Sequence, residues 1–296
     1  DMFNRWDAAQ TLLADQILAT ANDQKYAIDE TAVAALASAY ANSLADEDLL
    51  DMFKSGLLTL PAISVLESRM KPADPVALFH ARRAVEAALG RVLAPQIKSA
   101  LTDDNMAIMA KTDGGRALLN RLLAMAIAAG DSDAIERAAK QVHDQNMSLS
   151  QGALAALNHC DHPARAIALQ AFHDRWQDSP LVMEKWFMME SMSLVSGTVA
   201  RLGELMAHPA FDANNPNKLR SVLGAFMTGN PVHFYAEDGS GFDFIGDCLI
   251  DIDARNPQLA ARMALPLTRR TQYAPARRAK MGAVLQKLQQ QAQSND

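Results

Sequence analysis

The sequence contains few of the residues that mark secreted, fibrous or membrane-spanning proteins. Its 296 residues include only two cysteines, Cys160 and Cys248, which excludes a disulfide framework and suits a reducing compartment. Gly and Pro number only 14 and 12, so no fibrous or linker-dominated region is expected. No apolar run reaches about 18 residues, so no membrane span is predicted. We therefore expect a cytoplasmic location and no membrane partner.

Excess positive charge is also missing. The formal net charge is −6 at pH 7, whereas binding to phosphate backbones requires a basic surface, so nucleic acid is not an expected partner. Aromatic residues make up 6% of the chain and β-branched residues are sparse, while Ala, Leu and Met are abundant. This composition favours helices over strands.

Short motifs of common catalytic centres are absent as well. The sequence has no H-E-x-x-H, no G-x-S-x-G, no phosphate-binding loop and no dinucleotide fingerprint. Each of these motifs is a local requirement of its chemistry. We therefore predict that this chain holds no catalytic residue and no metal of its own.

What is present is helical periodicity along almost the whole chain. Apolar residues recur at helical spacing, and one such run ends at Gly130, a typical helix stop. An N-cap residue followed by proline predicts four helix starts, and two further X-Pro pairs predict weaker ones. The four strong starts are Asp74-Pro75, Ser179-Pro180, Asn215-Pro216 and Asn256-Pro257; the weaker ones are His162-Pro163 and Ala274-Pro275.

The number of predicted helices indicates the fold class. We expect about 14 to 16 helices joined by short turns, with loops near residues 22–31 and 100–114. So many helices in series cannot share one compact bundle. The predicted fold is therefore all-α, a superhelical α-solenoid of antiparallel stacked helices, formed as one domain over residues 1–296.

Two clusters have residue types that suit metal or acid–base chemistry. His159-Cys160-Asp161-His162 has metal-binding side chains, but Pro163 follows directly and favours a polar helix–turn boundary. Asp243, Asp247 and Asp251 form a stripe at helical spacing, for which a solvated or interdomain face is favoured over a catalytic pair. Asp238-Gly239-Ser240-Gly241 lacks the ligand series of a calcium loop, so a turn with left-handed glycines is expected.

A third cluster lies between residues 214 and 262. An irregular loop with His233, Tyr235 and Glu237 lies between helices that carry Arg220, Gln258 and Arg262 on otherwise apolar patterns. Gln258 and Arg262 are four residues apart and share a helix face. These three residues, here called the polar wall, could bind carboxylate or peptide carbonyl groups if the fold brings them together.

Five stretches carry a resemblance to a known family. They are FNRWDAAQ (3–10), SPLVMEKWF (179–187), NPNKLRSVLGAF (215–226), FYAEDGSGFDF (234–244) and ARNPQLAARMALPL (254–267). In this order they resemble the C-terminal helical domain of bacterial aminopeptidase N enzymes, zinc metalloaminopeptidases of the gluzincin (alanyl aminopeptidase) type. The match is dense over residues 163–282 and rests mainly on helical pattern over residues 20–150.

The resemblance implies a function that the composition does not. Enzymes of this family remove N-terminal amino acids from peptides, and their zinc and catalytic residues lie in an upstream domain that is absent here. Asp1 then looks like a domain boundary. The helical domain encloses the active site and limits access to small peptides, and Arg220, Gln258 and Arg262 match residues that face the enclosed chamber. The implied partners are the upstream domain and small peptides, and the segment alone is expected to be inactive.

Two other hypotheses remain open. The chain could be a stand-alone α-solenoid that binds protein partners through an exposed groove. It could also be an independent hydrolase that uses His159 and His162 or the aspartate stripe, although no nucleophile or base arrangement accompanies them. Metal content after purification separates the hydrolase from the other two hypotheses, and a gene product that begins near Asp1 would support the stand-alone solenoid.

Overall fold

The protein is all-α in a computed structural model that describes residues 1–23 and 25–294, with side chains described only to residue 291. Within that range the secondary structure consists of helices, and β-pairing is limited to an isolated bridge between Ala73 and Tyr273. This confirms the predicted all-α class. None of the described helices is long and apolar enough to cross a membrane.

The chain divides into two compact units, each made of two separate stretches of the sequence. Unit 1 comprises Asp1–Leu66 and Ala77–Phe172, and unit 2 comprises Glu67–Val76 and His173–Asp296. The prediction of one continuous superhelix over residues 1–296 stays a prediction.

Unit 1 is built from the first eleven helices. Their bounds are α1 Met2–Asn22, α2 Glu30–Ala45, α3 Asp51–Leu58, α4 Ile63–Arg69, α5 Pro75–Val92, α6 Ala94–Ala100, α7 Asp103–Met109, α8 Asp113–Ala128, α9 Ser132–Gln141, α10 Met147–Leu157 and α11 Pro163–Trp176. The end of α4, the start of α5 and the end of α11 fall within unit 2.

Helix α8 forms the centre of unit 1. It packs against α3 and α10, and also against α6, α7 and α9. Its buried residues include Leu118, Leu119, Leu122 and Leu123, a spacing that makes one broad apolar stripe along the helix. Gly152 of α10 faces α8, and a β-carbon there would overlap the Asn120 side chain. The glycine therefore permits the close approach of these two helices.

Unit 2 contains the remaining helices. Their bounds are α12 Pro180–Ser191, α13 Thr198–Met206, α14 Pro216–Leu219, α15 Ala225–Gly229, α16 Pro231–Phe234, α17 Ser240–Asp253, α18 Pro257–Met263, α19 Leu265–Thr268 and α20 Pro275–Ser294. A π-helical turn, Arg220–Gly224, joins α14 to α15, and a 3₁₀ turn, Arg269–Gln272, follows α19. Two groups hold the unit together: α17 packs against α18 and α20, and α12 packs against α13, α15 and the π turn.

All six predicted helix starts are confirmed. Helices α5, α11, α12, α14, α18 and α20 begin at the six prolines. The side chains of Asn215 and Asn256 cap α14 and α18 by accepting backbone amide hydrogens, whereas Ser179 makes no such bond. Gly130, with φ of 89°, follows the end of α8 as predicted.

The structure differs from the sequence reading in two respects. The described residues contain 20 α-helical segments, more than the 14 to 16 expected, because four of them have only four or five residues. Residues 100–114 are also not a loop, since α7 lies there. Thr102 caps α7 by accepting from the amide of Asn105, and Asp103 and Asp104 occupy its first turn.

Candidate functional site

Arg220 begins the π-helical turn between α14 and α15. A π turn carries one extra residue per turn and is frequently found at functional sites. The turn is anchored by Lys218, whose Nζ donates to the Pro180 carbonyl at 2.8 Å and lies 5.4 Å from the centre of the Phe187 ring. Arg220 itself is exposed, and its Nη1 donates to Oδ1 of Asn217 at 3.2 Å.

Gln258 and Arg262 lie on one face of the short helix α18. The opposite face buries Leu259, Ala260 and Met263. Both polar side chains are exposed, and neither makes a hydrogen bond or ion pair with another part of the chain that the structure describes. Helix α18 thus places both side chains on one exposed face, as their four-residue spacing predicts.

Of the three polar-wall residues, only Gln258 and Arg262 lie on the same helix. The π turn that carries Arg220 packs against α12 and α13, whereas α18 packs against α17 and α19. Among the described residues, no hydrogen bond joins Arg220 to Gln258 or Arg262. A single surface formed by all three residues stays a prediction.

Most polar groups of the neighbouring loop stabilise the fold. Asn230 is fully buried; its Nδ2 donates to the carbonyls of Ser191 and Ser193 at 3.1 and 2.7 Å, and its Oδ1 accepts from the His233 amide at 3.2 Å. The His233 Nε2 lies 3.3 Å from the Leu194 carbonyl. Buried backbone carbonyls need such partners, so these side chains are occupied.

Tyr235 belongs to a second buried network. Its hydroxyl lies 3.0 Å from that of Tyr273, which donates to Oε1 of Glu67 at 3.3 Å and accepts from Nε2 of Gln272 at 2.8 Å. Because Tyr273 donates its one hydrogen to Glu67, Tyr235 is the donor to Tyr273. Burial raises the pKa of Tyr235 and of the Glu67 carboxyl. The sequence did not predict this network, because no local pattern links Glu67 to Tyr273, which are 206 positions apart.

The D-G-S-G segment is a turn, as predicted. Gly239 adopts φ of 86°, and Oδ1 of Asp238 accepts from the amide and hydroxyl of Ser240 at 2.9 and 2.8 Å. These hydrogen bonds lower the pKa of the Asp238 carboxyl. Only one glycine is left-handed, however, because Gly241 already lies in the first turn of α17.

The metal-type cluster at residues 159–162 does not form a metal site. His159 lies just beyond α10 and packs edge-on against the ring of Phe79, while Nδ1 of His162 accepts from the Ala164 amide at 3.1 Å. The described residues contain no group of three or more His, Cys, Asp or Glu side chains placed to hold a metal ion.

The aspartate stripe is a solvated face. Asp243, Asp247 and Asp251 lie exposed on α17, and Oδ1 of Asp247 pairs with Nζ of Lys287 at 2.6 Å.

Of the methionines near Trp186, Met183 and Met189 are buried and act as core residues, whereas Met188 is exposed.

A histidine pair in unit 2 was not predicted from the sequence. The Nε2 atoms of His173 and His208 lie 3.1 Å apart beside Trp186. Nδ1 of His208 accepts from the Ala210 amide at 3.1 Å, so its Nε2 carries the hydrogen and donates to His173. Burial, followed by the neighbouring His173, lowers the pKa of His208. Both nitrogens of His208 are thus engaged in the neutral state, and the pair is a structural contact.

Comparison with known proteins places these features in context. A family model described as "Domain of unknown function (DUF3458_C) ARM repeats" matches residues 1–296. ARM repeats are helical solenoid units, so the predicted solenoid class is confirmed. Aminopeptidase N of Escherichia coli (strain K12) is 33% identical over 291 residues, covering 97% of this chain and 33% of the relative.

Two further similarities agree with this match. Aminopeptidase N of Caulobacter vibrioides is 33% identical over 300 residues, covering 97% of this chain and 34% of the relative. The crystal structure of Legionella pneumophila aminopeptidase A in complex with aspartic acid superposes with a TM-score of 0.85 at 23% identity, covering 98% of this chain and 35% of that one. This chain spans about a third of the length of the relatives that it matches.

Proposed function

Because this chain belongs along its whole length to the ARM-repeat family described as DUF3458_C, we propose that it is the C-terminal helical domain of an aminopeptidase of the aminopeptidase N type. In this role it encloses the active site of a longer protein, limits access to small peptides and contributes peptide-binding residues. Hydrolysis takes place in an upstream domain, which supplies the catalytic residues and zinc. The whole protein acts in the cytoplasm.

One structural observation carries the proposed binding role. Gln258 and Arg262 are exposed on α18 with no partner among the described residues, whereas Asn230 and His233 near the loop are occupied within the fold. A guanidinium with all its donors free suits carboxylate and carbonyl oxygens, and an amide can both donate to and accept from a peptide backbone. The pair is therefore suited to extended peptide.

Contacts remote from the reacting bond act mainly on binding. An interaction of equal strength in the bound substrate and in the transition state lowers KM without raising kcat. Side chains of this helical domain would contact the peptide away from the bond that is cleaved. They hold the peptide in place and leave the chemistry to the zinc domain.

We expect Arg220→Ala or Arg262→Ala in the full-length enzyme to raise KM for a tri- or tetrapeptide about tenfold, because each removes a charge-assisted hydrogen bond. The value of kcat should change little. Arg91→Ala is the control, since Arg91 is exposed and has no partner among the described residues. A loss in kcat equal to that in kcat/KM, with KM unchanged, would contradict a binding role.

The division of labour between domains has its own test. We expect the 296-residue segment alone to contain no stoichiometric zinc and to release no amino acid from peptides. Mixing it with the separately produced upstream portion should restore or reshape aminopeptidase activity. Stoichiometric zinc in the segment alone, together with hydrolysis by it, would overturn the proposal. If the upstream portion is fully active and the segment does not change that activity, the alternative of a protein-binding scaffold would be favoured.

A further inference from the structure

Unit 1 contains a polar pocket that the proposed function does not use. It lies between α5, α8 and α10, with a volume of about 390 Å³, within the range of small-molecule sites. The polar side chains in its lining include Arg82, Arg83, Glu86, Asn120, Arg121 and His159. Three cations thus face one carboxylate in a chain whose net charge is −6.

Two of the three arginines are held in place by the fold. Arg82 donates from Nε to the Pro61 carbonyl at 2.9 Å and from Nη2 to the Leu60 carbonyl at 3.3 Å. Arg121 donates from Nε to the Leu58 carbonyl at 2.9 Å, and its Nη2 pairs with Oε1 of Glu86 at 2.6 Å. Backbone carbonyls satisfy hydrogen bonds but do not neutralise charge, so only one of the two positive charges is balanced.

Arg83 differs from these two arginines. It lines the same pocket, is half-buried, and makes no hydrogen bond or ion pair with any described residue. A planar guanidinium offers five donors in a fixed fork that matches the oxygens of carboxylate and phosphate. Partial burial strengthens such a contact relative to water.

His159 supplies an unpaired ring nitrogen. Its ring lines the pocket, and its Nδ1 is buried without a hydrogen-bond partner. Buried ring nitrogens are usually paired, so an unpaired one has a cost that a polar ligand can relieve. Arg83 is among the charges that act on this imidazole, together with Arg82, Arg165 and the carboxylate of Glu86.

From these contacts we infer that the pocket binds a small oxyanion, a phosphate or carboxylate group, through the free guanidinium of Arg83 and the unpaired imidazole of His159. Arg82 and Arg121 supply positive potential while remaining fixed to the backbone. The guanidinium donates two N–H groups, and the neutral imidazole donates one, in the tautomer that carries its hydrogen on Nδ1. The inference does not depend on the proposed function, because no residue of the polar wall lines this pocket.

Isothermal titration calorimetry of the full chain tests this assignment, with the ionic strength held constant by NaCl. The probes are inorganic phosphate, N-acetyl-trialanine as the free acid, and its C-terminal amide. We expect saturable one-to-one binding of at least one oxyanion and none of the amide. Binding of phosphate alone identifies phosphate as the ligand group, and binding of the free acid alone identifies carboxylate.

Matched variants locate the site. Arg83→Gln should weaken binding about tenfold or more, and Arg83→Lys less, since lysine keeps the charge but loses the fork. Arg91→Gln on the same helix should bind like wild type. His159→Phe should also bind more weakly. No saturable binding of either oxyanion, equal binding of the amide, or unchanged affinity in a folded Arg83→Gln variant would each overturn the inference.

Discussion

Replacing Arg121 with alanine is expected to lower the free energy of unfolding by about 3 kcal/mol, because it leaves the buried carboxylate of Glu86 without its main partner. The side chains of Arg121 and Glu86 are only 13% and 8% exposed, and they pair at 2.6 Å. Burial alone would raise the pKa of Glu86, but the charges of Arg121 and Arg82 lower it overall. Arg82 remains in the variant, so the effect falls at the lower end of those measured for broken buried pairs.

Urea denaturation at pH 7 measures this effect. The double variant Arg121→Met/Glu86→Leu removes both charges and should recover much of the loss, because an apolar pair has no unpaired charge to bury. Arg91→Ala should change stability by less than about 0.5 kcal/mol. If Arg121→Ala changed the free energy of unfolding as little as Arg91→Ala does, the Arg121–Glu86 ion pair would not stabilise the packing of α5 against α8.

Lowering the pH from about 6.5 to about 4 is expected to cost the fold roughly 3 kcal/mol through His159 alone. Burial, and then the charge of Arg83, lowers the pKa of His159 to about 4 from its ordinary value of 6.5. The unfolded chain therefore binds a proton at a higher pH than the folded chain does. The contribution of the neutral His159 to the free energy of unfolding is fully present above pH 6.5. It is lost as the pH falls towards 4, and it does not change further at lower pH.

Comparison with variants isolates His159 from the carboxyl groups that titrate in the same range. Unfolding free energies of wild type, His159→Phe and His159→Gln should be measured at several pH values in a buffer free of phosphate and carboxylate. The decline between pH 6.5 and 4 should be smaller in both variants by about the same amount. An identical decline in all three proteins would show that the imidazole is not held neutral by the fold.

Local sequence was sufficient for the helices and their starts. Proline at the first helical position and a capping side chain act within three residues, so Asn215 and Asn256 mark α14 and α18 before any packing is known. The same local physics identifies α7, where Thr102 and two aspartates form a helix start. Because α7 has only seven residues, its apolar pattern is too short to show helical periodicity, and the pattern alone predicts a loop there.

The candidate site was predictable only where one helix decides the geometry. The four-residue spacing of Gln258 and Arg262 fixes a common face, and both residues lie on α18. The polar loop was read as a functional cluster, but Asn230 and His233 satisfy backbone carbonyls of residues 191–194. Sequence alone cannot tell an occupied polar group from a free one, since the partner lies far along the chain.

The sequence by itself determined the class of this protein: an all-α chain of many short helices, with five motifs that resemble the helical domain of aminopeptidase N. Helix propensity, capping and side-chain spacing act over a few residues, so they can be predicted from the local sequence. Only the tertiary structure decided which polar groups are free. In the folded protein, Asn230 and Tyr235 form hydrogen bonds within buried networks, and Arg121 pairs with Glu86. Arg83 and His159 line one pocket without a hydrogen-bond partner among the described residues for the guanidinium or for Nδ1. Burial and pairing depend on residues that are distant in sequence. Together they set the free-energy cost of each buried charge and whether the charged group is free to bind a ligand.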